Sequence, residues 1–127
     1  MTGYVGKIER LTEKNKNFRK VLYTGKYAQL VLMCLLPGEE IGDEVHGNVD
    51  QFFRIEAGAA KFIFNDGKEE HLVGAGDAVI VPAGTFHNVI NASSTESLKL
   101  YTLYSPPNHP DGTVHKTKAE AEAAEHH

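Results

Sequence analysis

The sequence of 127 residues has little cysteine, no tryptophan and no long apolar run. Its single cysteine, Cys34, cannot form a disulfide within the chain, which favours a reducing compartment. The longest unbroken apolar stretch runs only from Leu30 to Leu36, whereas a membrane-spanning helix needs about 20 residues. The N-terminus shows no apolar segment typical of a signal peptide. These absences predict a cytoplasmic protein without a membrane span.

Basic residues are also in short supply. The 13 Lys and Arg are outnumbered by 17 Asp and Glu, so the formal net charge is −4. A nucleic-acid-binding domain normally presents a basic surface, and this balance argues against such a partner. Hydrophobic residues make up 41% and charged residues 24%, which is ordinary globular usage and argues against wholesale disorder. The length predicts a single domain over residues 1–127.

Short segments between tight turns dominate the pattern. Twelve glycines recur at short intervals, many beside Asp, Asn or Pro, which is typical of a sandwich or barrel of short strands. The tripeptide Asn65-Asp66-Gly67 is a strong hairpin signal, because such turns need positive φ. The predicted strands are 19–24, 28–36, 51–56, 61–64, 69–73, 77–81, 87–91 and 98–104. The strand 77–81 is apolar on both faces and is predicted to be central in its sheet.

Only the C-terminal end is predicted to be helical. A capping-box pattern runs from Thr117 to Glu120, and residues 118–125 are rich in Ala and Glu. The helix is mostly polar and is predicted to lie on the surface. We assign no function to His126 and His127, which are either native or the remains of a purification tag.

The C-terminal extension, residues 106–127, begins with a polar stretch over 106–115 that is predicted to be too polar for a strand. Polar loops that contain His and Asp often edge a binding site. A plain surface wrap is the alternative, and it is the one that we favour from the sequence.

Two segments carry candidate metal ligands. In the first, Glu44 and His46 are two positions apart, so an extended chain places both side chains on one face. Gln51 opens the next strand and adds a neutral carbonyl oxygen. In the second segment, His87 follows a Pro-Gly corner. Two imidazoles and one carboxylate with open positions form the facial arrangement of non-haem iron enzymes. Asp50 is the alternative ligand if the strand register shifts by one residue.

The spacing of both segments resembles the motifs of the cupin superfamily. The second motif is matched completely, by Gly76, Pro82, Gly84, His87 and Asn91. The first motif is matched in spacing, by Gly38, Glu44, His46, Gln51 and Gly58. Glu44 stands where the family usually has a His, and Gln51 where it usually has a Glu. The motif region covers residues 38–91, and we interpret the glycines, Pro82 and Asn91 as structural.

The resemblance implies an all-β fold, a double-stranded β-helix (jelly-roll) barrel with a short C-terminal helix. It implies that one divalent transition metal ion (Mn, Fe, Ni or Zn) is held in the lumen by Glu44, His46, Gln51 and His87. Because Glu44 keeps a carboxylate in the set, we expect that a metal still binds. The resemblance also implies a small-molecule ligand and a homodimer.

Strand alternation places the neighbours of Gln51 on two faces. Phe53 and Ile55 share its face and are predicted to line the lumen. Phe52 and Arg54 face outward and are candidates for a subunit interface. These assignments assume the register that the first motif implies.

The leading functional hypothesis is an enzyme whose metal polarises a carbonyl or hydroxycarbonyl group of a small, sugar-like metabolite. Isomerisation, enolisation and ring opening fit this chemistry. The alternatives are an Fe(II)-dependent dioxygenase and a binding or sensing module without turnover. No residue is assigned as catalytic, although Tyr101 and Tyr104 lie on opposite faces of one strand and one of them could donate a proton in the lumen. We interpret Cys34 as a core residue and His71 as solvated.

Overall fold

The computed structural model describes residues 2–125; Met1, His126 and His127 lie outside the described residues. In chain order the elements are α1 (Ile8–Lys14), β1 (Arg19–Thr24), β2 (Gln29–Leu35), β3 (Asp50–Ala57), β4 (Ala59–Phe64), β5 (Glu69–Gly74), β6 (Ala78–Val81), β7 (His87–Asn91), β8 (Leu98–Ser105), β9 (Val114–His115) and α2 (Lys118–Glu125). None of the helices within residues 2–125 is long and apolar enough to cross a membrane.

The strands form two antiparallel sheets. The larger has the order β6-β3-β8-β2-β1-β9, and the smaller has the order β5-β4-β7. The segment before β3 extends the smaller sheet, since Glu40 and Glu44 form isolated antiparallel bridges with Ile90 and His87. Non-consecutive strands are therefore neighbours in both sheets, as a jelly-roll arrangement requires.

The hydrophobic core lies between the two sheets. The larger sheet contributes fully buried side chains from three adjacent strands, including Val31, Phe53 and Leu100. The smaller sheet contributes Ala60, Phe62 and Val89. The rings of Phe53 and Phe62 meet edge to face with 5.0 Å between centroids, which links the sheets at the centre of the barrel.

Most of the predicted elements are confirmed. All eight predicted strands form, with ends that shift by one or two residues, and the C-terminal helix covers 118–125. The hairpin between β4 and β5 turns at Asn65, Asp66 and Gly67, all of which have positive φ. The Glu120 amide donates to the Thr117 hydroxyl at 3.2 Å, as a capping box requires.

The expectation that only the C-terminal end is helical is wrong, because α1 forms near the N-terminus. Thr12 is its one buried residue, and its hydroxyl donates to the Ile8 carbonyl oxygen at 2.7 Å. A helix of two turns that buries one polar side chain leaves no apolar repeat for sequence analysis to detect.

The prediction that 77–81 is a central strand is also wrong. Within the described residues β6 pairs with β3 alone and forms one edge of the larger sheet. Its outward side chain Ile80 is 66% exposed, whereas Val81 is buried. Apolar residues on both faces therefore do not mark a central strand here.

The prediction that the stretch 106–115 is too polar for a strand is wrong at its last two residues. Val114 and His115 form the short β9, which pairs with Lys20 and Arg19 of β1. α2 follows and buries Ala121 in the core, while most of its other residues are exposed. The extension thus closes one end of the barrel at the edge of the larger sheet.

The assignments for the two faces of β3 are confirmed in direction. Phe53 and Ile55 are fully buried and fill the interior, so they are core residues and do not line an open lumen. Phe52 is partly exposed on the outer face, where its ring lies 6.3 Å from that of Tyr101. Arg54, beside it, pairs with Glu56 at 3.1 Å.

Candidate functional site

Backbone hydrogen bonds join the two motif segments at one end of the barrel. Glu44 and His87 exchange a pair of bonds, of 2.8 and 2.9 Å, and the Gly84 amide donates to the His46 carbonyl oxygen at 2.8 Å. Gly84 has a φ of +81°, a conformation that a residue without Cβ adopts at little cost. The turn before β7 therefore sets the position of the whole segment that carries Glu44 and His46.

Three of the predicted ligands meet at this end. Glu44 Oε2 lies 3.4 Å from His46 Nε2. The rings of His46 and His87 are 5.8 Å apart at their centroids and tilted by 56°. Extended backbone at Glu44 and His46 places both side chains on the same side, as the sequence predicts.

The tautomer of His87 follows from its contacts. Its Nδ1 lies 3.0 Å from the carbonyl oxygen of Thr85. Since a carbonyl oxygen can only accept, Nδ1 carries the proton and a neutral His87 has its lone pair at Nε2. A metal-binding histidine is commonly held in this way by a backbone carbonyl.

Gln51 lies in the buried interior, opposite Tyr104 of the neighbouring strand. Its amide nitrogen donates to the Thr102 hydroxyl at 3.0 Å, and Thr102 is itself fully buried. The Oε1 atom of Gln51 is buried and has no hydrogen-bond partner within residues 2–125. The same holds for Nε2 of His46, whose contact with Glu44 lacks hydrogen-bond geometry.

Tyr104 extends the site towards the C-terminal extension. Gln51 and Tyr104 are register partners in β3 and β8. The Tyr104 ring packs edge-on against His46 with 5.8 Å between centroids, and its hydroxyl lies 3.2 Å from His109 Nε2. Of the two tyrosines considered from the sequence, Tyr104 is the one that points inward, whereas Tyr101 is partly exposed on the outer face.

Burial shifts the ionisation of the site. It raises the pKa of Glu44, an effect that the positive charge of Arg19 partly offsets. Burial and Arg19 both lower the pKa of His46. Burial, with the charge of Glu44, raises the pKa of the Tyr104 hydroxyl far above its usual range. At neutral pH the site therefore holds a neutral His46 and a protonated Tyr104.

His109 is fixed by a buried side chain from the larger sheet. Gln29, fully buried, accepts from the backbone amides of Asn108 and His109 at 3.0 and 2.9 Å. It donates to the His109 carbonyl oxygen at 2.8 Å. Burial, then the charges of Arg19, His46 and His115, lower the pKa of His109 to about 3, so its ring is neutral. The favoured interpretation of 106–115 as a plain surface wrap is therefore wrong at His109, which contacts the buried Tyr104.

Glu44, His46 and His87 lie close together but do not form a complete coordination sphere. Within residues 2–125 no three His, Cys, Asp or Glu side chains form a ready-made metal cluster. The alternative ligand Asp50 is wrong: it is exposed, and its Oδ1 accepts from the Ala83 amide at 2.8 Å. The register pairs Gln51 with Val81 and Tyr104, which leaves Asp50 on the outer face.

The structural roles predicted for the other motif residues are confirmed where contacts test them. Asn91 donates to the carbonyl oxygens of Leu35 and Glu96 and accepts from the Ser93 amide. Cys34 is buried, and His71 is exposed beside Glu69 at 2.7 Å. The sequence analysis did not single out Arg19, the first residue of β1, which is buried. Arg19 lies two positions before the buried Val21, and this spacing indicates that both side chains lie on the same face of the strand.

Two packed antiparallel sheets in this strand order, with histidines at one end of the barrel, are typical of a double-stranded β-helix protein. The family model described as "Cupin domain" matches residues 31–104. The chain belongs to the cupin family. The expected family and fold class are thereby confirmed.

Relatives match over most of the chain. The uncharacterized protein YrkC of Bacillus subtilis (strain 168) is 54% identical over 128 residues, which cover 96% of this chain and 67% of YrkC. The uncharacterized protein L612 of Acanthamoeba polyphaga mimivirus is 44% identical over 112 residues, which cover 87% of this chain and 70% of L612. The crystal structure of BH2720 from Bacillus halodurans superposes with a TM-score of 0.92 at 43% identity, covering 94% of this chain and 93% of that one.

Proposed function

We propose that this cupin binds one divalent transition metal ion through Glu44, His46, Gln51 and His87 and uses it in proton-transfer chemistry on a small carbonyl compound. The observation that supports this most strongly is a pair of buried polar atoms, His46 Nε2 and Gln51 Oε1, that have no hydrogen-bond partner within residues 2–125. Buried polar atoms are rarely left unpaired, and a cation would satisfy both.

The donor set fits such an ion. His87 has its lone pair at Nε2, because Nδ1 is bound to the Thr85 carbonyl oxygen. Burial lowers the pKa of His46, so this ring is neutral and able to ligate. Mixed nitrogen and oxygen ligands suit Mn, Fe, Ni and Zn. When bound, the ion would polarise a carbonyl group of the ligand.

Tyr104 supplies a proton donor, and His109 holds its hydroxyl. The Tyr104 hydroxyl is protonated and lies 3.2 Å from His109 Nε2, and the tyrosine ring packs against His46. Enolisation removes a proton from carbon and delivers one to oxygen. The Tyr104 phenol can make the second transfer, and His109 orients its hydroxyl, because an imidazole with a pKa of about 3 is too weak a base to take a proton from carbon. This pair favours an isomerase or enolisation-type reaction over oxygen chemistry.

A second candidate function is an Fe(II)-dependent dioxygenase. Two imidazoles and one carboxylate, from His46, His87 and Glu44, are the donor types of the iron facial triad. Oxygen uptake that depends on Fe(II) and on a carbonyl substrate would favour this reaction. A ligand recovered unchanged after saturating binding would favour a binding module without turnover.

The metal content of purified protein tests the proposal. The protein is stripped with a chelator, loaded separately with Mn, Fe, Ni or Zn, and analysed by mass spectrometry. All samples carry His126→Ser and His127→Ser, so that the terminal histidines contribute no metal. We expect one ion per chain in the otherwise unchanged protein and a loss of it in His46→Ala and His87→Ala.

His71→Ala is the matched control, because His71 is exposed and pairs with Glu69 away from the site. It is expected to retain the full metal content. Equal metal in His87→Ala and His71→Ala, or none in the otherwise unchanged protein, would overturn the proposed metal site.

We also propose that the protein is a cytoplasmic homodimer. Ile80, 66% exposed on the edge strand β6, and the partly exposed Phe52 give the outer face of the larger sheet an apolar surface that a second copy would cover. A lone, buried cysteine is the feature that favours the cytoplasm.

A further inference from the structure

We propose that Arg19 binds a carboxylate group of the ligand, in a cavity between the barrel end and the C-terminal extension. The inference rests on the proposed function, since it names the class of compound on which the site would act: small carboxylic acids that carry a carbonyl or hydroxyl group. Three features of the structure lead to it.

The first feature is a buried guanidinium group that forms no ion pair within residues 2–125. Arg19 lies on β1, paired with Met33 and His115, and is only 2% exposed. Its Nε is buried and has no hydrogen-bond partner within the described chain, and none of the ion pairs there involves Arg19. An arginine is charged at any ordinary pH, and burying its charge is costly unless partners compensate. The Phe18 ring, 5.4 Å from the guanidinium carbon, and the charge of Glu44 compensate it in part. A bound anion would be a further partner.

The second feature is the space next to it. A cavity of about 330 Å³ is lined by Arg19, His109, Thr113 and His115, with Ala124 and Glu125 from α2. This volume is at the lower end of the range for small-molecule sites, which suits a ligand of metabolite size. The C-terminal extension forms most of the wall, so the cavity exists only because the chain folds back over the barrel end.

The third feature is the part of the Arg19 guanidinium that has no hydrogen-bond partner and could bind a ligand. Arg19 Nη1 lies 3.4 Å from His115 Nδ1, which is thereby the acceptor. Nε–H has no partner within residues 2–125, and a guanidinium can offer a pair of N–H groups to the two oxygens of a carboxylate. The same pair of N–H groups also matches a phosphate, but the carboxylate of Glu125 in the cavity wall repels a more highly charged anion more strongly and so favours a carboxylate.

His109 connects the cavity with the proposed reaction site. It lines the cavity, and its Nε2 contacts the Tyr104 hydroxyl, whose ring packs on His46. A ligand anchored by its carboxylate at Arg19 would therefore extend along His109 towards Tyr104 and the proposed metal ligands. The anchor would orient the acid and leave its carbonyl or hydroxyl group for the chemistry.

Binding to the metal-free protein of 127 residues tests the anchor apart from the metal. The probes are lactate, pyruvate and gluconate, with lactamide as the uncharged counterpart of lactate and inorganic phosphate as a competing anion. The side-chain Nε–H resonance of Arg19 is followed by NMR during each titration. We expect it to move with the carboxylates and to stay in place with lactamide.

Arg19→Gln is expected to weaken carboxylate binding by about tenfold or more, a change equal to roughly 1.4 kcal/mol. Arg10→Gln is the matched control, because Arg10 is exposed on α1, and it is expected to bind like the original protein. Without ligand, Arg19→Gln is expected to unfold at the same temperature or higher, since it removes an unpaired buried charge. A lower unfolding temperature would instead assign Arg19 a structural role.

An Nε–H resonance that no carboxylate moves, or that phosphate moves at lower concentration than any carboxylate, would overturn the inference. Because the titration uses metal-free protein, these outcomes leave the metal site untouched. Conversely, if the protein binds carboxylates but takes up no metal, the proposed function is contradicted and the carboxylate site at Arg19 is still supported. The NMR arm needs no variant and so gives a result even if Arg19→Gln does not fold.

Discussion

The hydroxyl of Tyr104 lies 3.2 Å from Nε2 of His109 and joins the last long strand of the barrel to the extension that follows it. The two residues are only five positions apart, yet the contact places a loop histidine against a fully buried phenol. Tyr104 also touches His46, so the extension has a direct link to the proposed metal ligands.

Tyr104→Phe removes the hydroxyl and keeps the ring. We expect the protein to lose about 1 kcal/mol of unfolding free energy, since one hydrogen bond to His109 is lost. We expect metal content to be unchanged and turnover of a carbonyl acid to fall by about 10²-fold or more, because the proton donor is gone. Urea unfolding and an assay of the proton exchange at the carbon next to the carbonyl measure the two effects.

Tyr101→Phe is the control for this change, since Tyr101 lies on the opposite face of the same strand. A variant at Tyr104 that retains full turnover would exclude the phenol as proton donor. If both Tyr104→Phe and Tyr101→Phe retain full turnover, the Tyr104 hydroxyl contributes to packing and not to the reaction.

Gln29→Leu is expected to release the extension from the barrel. The substitution removes two acceptor contacts to the Asn108 and His109 amides and one donor contact to the His109 carbonyl oxygen. Leaving such groups unpaired costs about 1–3 kcal/mol each where they stay buried, so we expect a loss of about 3 kcal/mol. Hydrogen exchange over 106–115 is expected to rise more than exchange in β3 and β8.

Asn48→Leu is the matched control, because this amide is exposed in a loop. It should change the unfolding free energy by less than about 0.5 kcal/mol. If hydrogen exchange in Gln29→Leu rises equally in residues 106–115 and in β3 and β8, Gln29 does not anchor the extension.

Acid should destabilise the protein through His109. Its pKa is lowered from 6.5 to about 3 by burial and by the charges of Arg19, His46 and His115. Between these two values the unfolded state binds more protons, so the free energy of unfolding falls as the pH drops from about 6.5 towards 3. The contribution is on the order of 3 kcal/mol by pH 4, and it is absent above pH 7.

His109→Gln is expected to flatten this part of the pH profile, as measured by urea unfolding between pH 4 and 8. The raised pKa of Glu44 acts in the opposite sense, because a carboxyl with a raised pKa stabilises the fold at low pH and loses that effect as the pH rises. The difference between the two proteins therefore isolates His109. Parallel profiles would mean that the pKa of His109 is the same in the folded and unfolded protein.

The strands and the motif segments could be predicted because local chemistry determines them. Asn65 to Gly67 adopts positive φ at each position, and Gly84 lets the turn before His87 bind the His46 carbonyl. Alternation along β3 then placed Gln51 inward. In each case the signal lies within a few residues of the feature it predicts.

The other part of the site depends on contacts between distant segments. His109 is buried by Gln29, which is 80 residues away, and Arg19 lies beside His115, 96 residues away. Neither pairing leaves a local pattern. β6 shows the same limit: its apolar outer face predicts burial, but only the order of the sheet reveals that the strand lies at an edge.

Gly58→Ala is expected to be the most harmful of the motif glycine substitutions. Gly58 has a φ of +89°, and a Cβ there would lie 2.7 Å from the backbone carbonyl oxygen of Ser97. Positive φ costs about 1 kcal/mol in a residue with a side chain, and the overlap adds about 2 kcal/mol because a backbone atom must move.

Gly38→Ala separates these two effects. Gly38 has a φ of +77° but nothing within 4 Å of the added Cβ, so only the backbone cost of about 1 kcal/mol applies. Chemical denaturation of both variants gives the comparison. Equal losses would show that the segment around Ser97 adjusts freely.

Ile80→Lys tests the proposed homodimer. Ile80 is 66% exposed on β6, at the edge of the larger sheet, and a charge there would oppose both apolar packing and strand pairing between copies. We expect the original protein to have twice the mass of the chain by light scattering and Ile80→Lys to have the mass of the monomer. Val114→Lys is the control, since Val114 is an exposed apolar residue on β9 at the opposite edge of the sheet. A dimer that survives Ile80→Lys but dissociates in Val114→Lys would move the interface to that edge, and a monomeric original protein would rule out the dimer altogether.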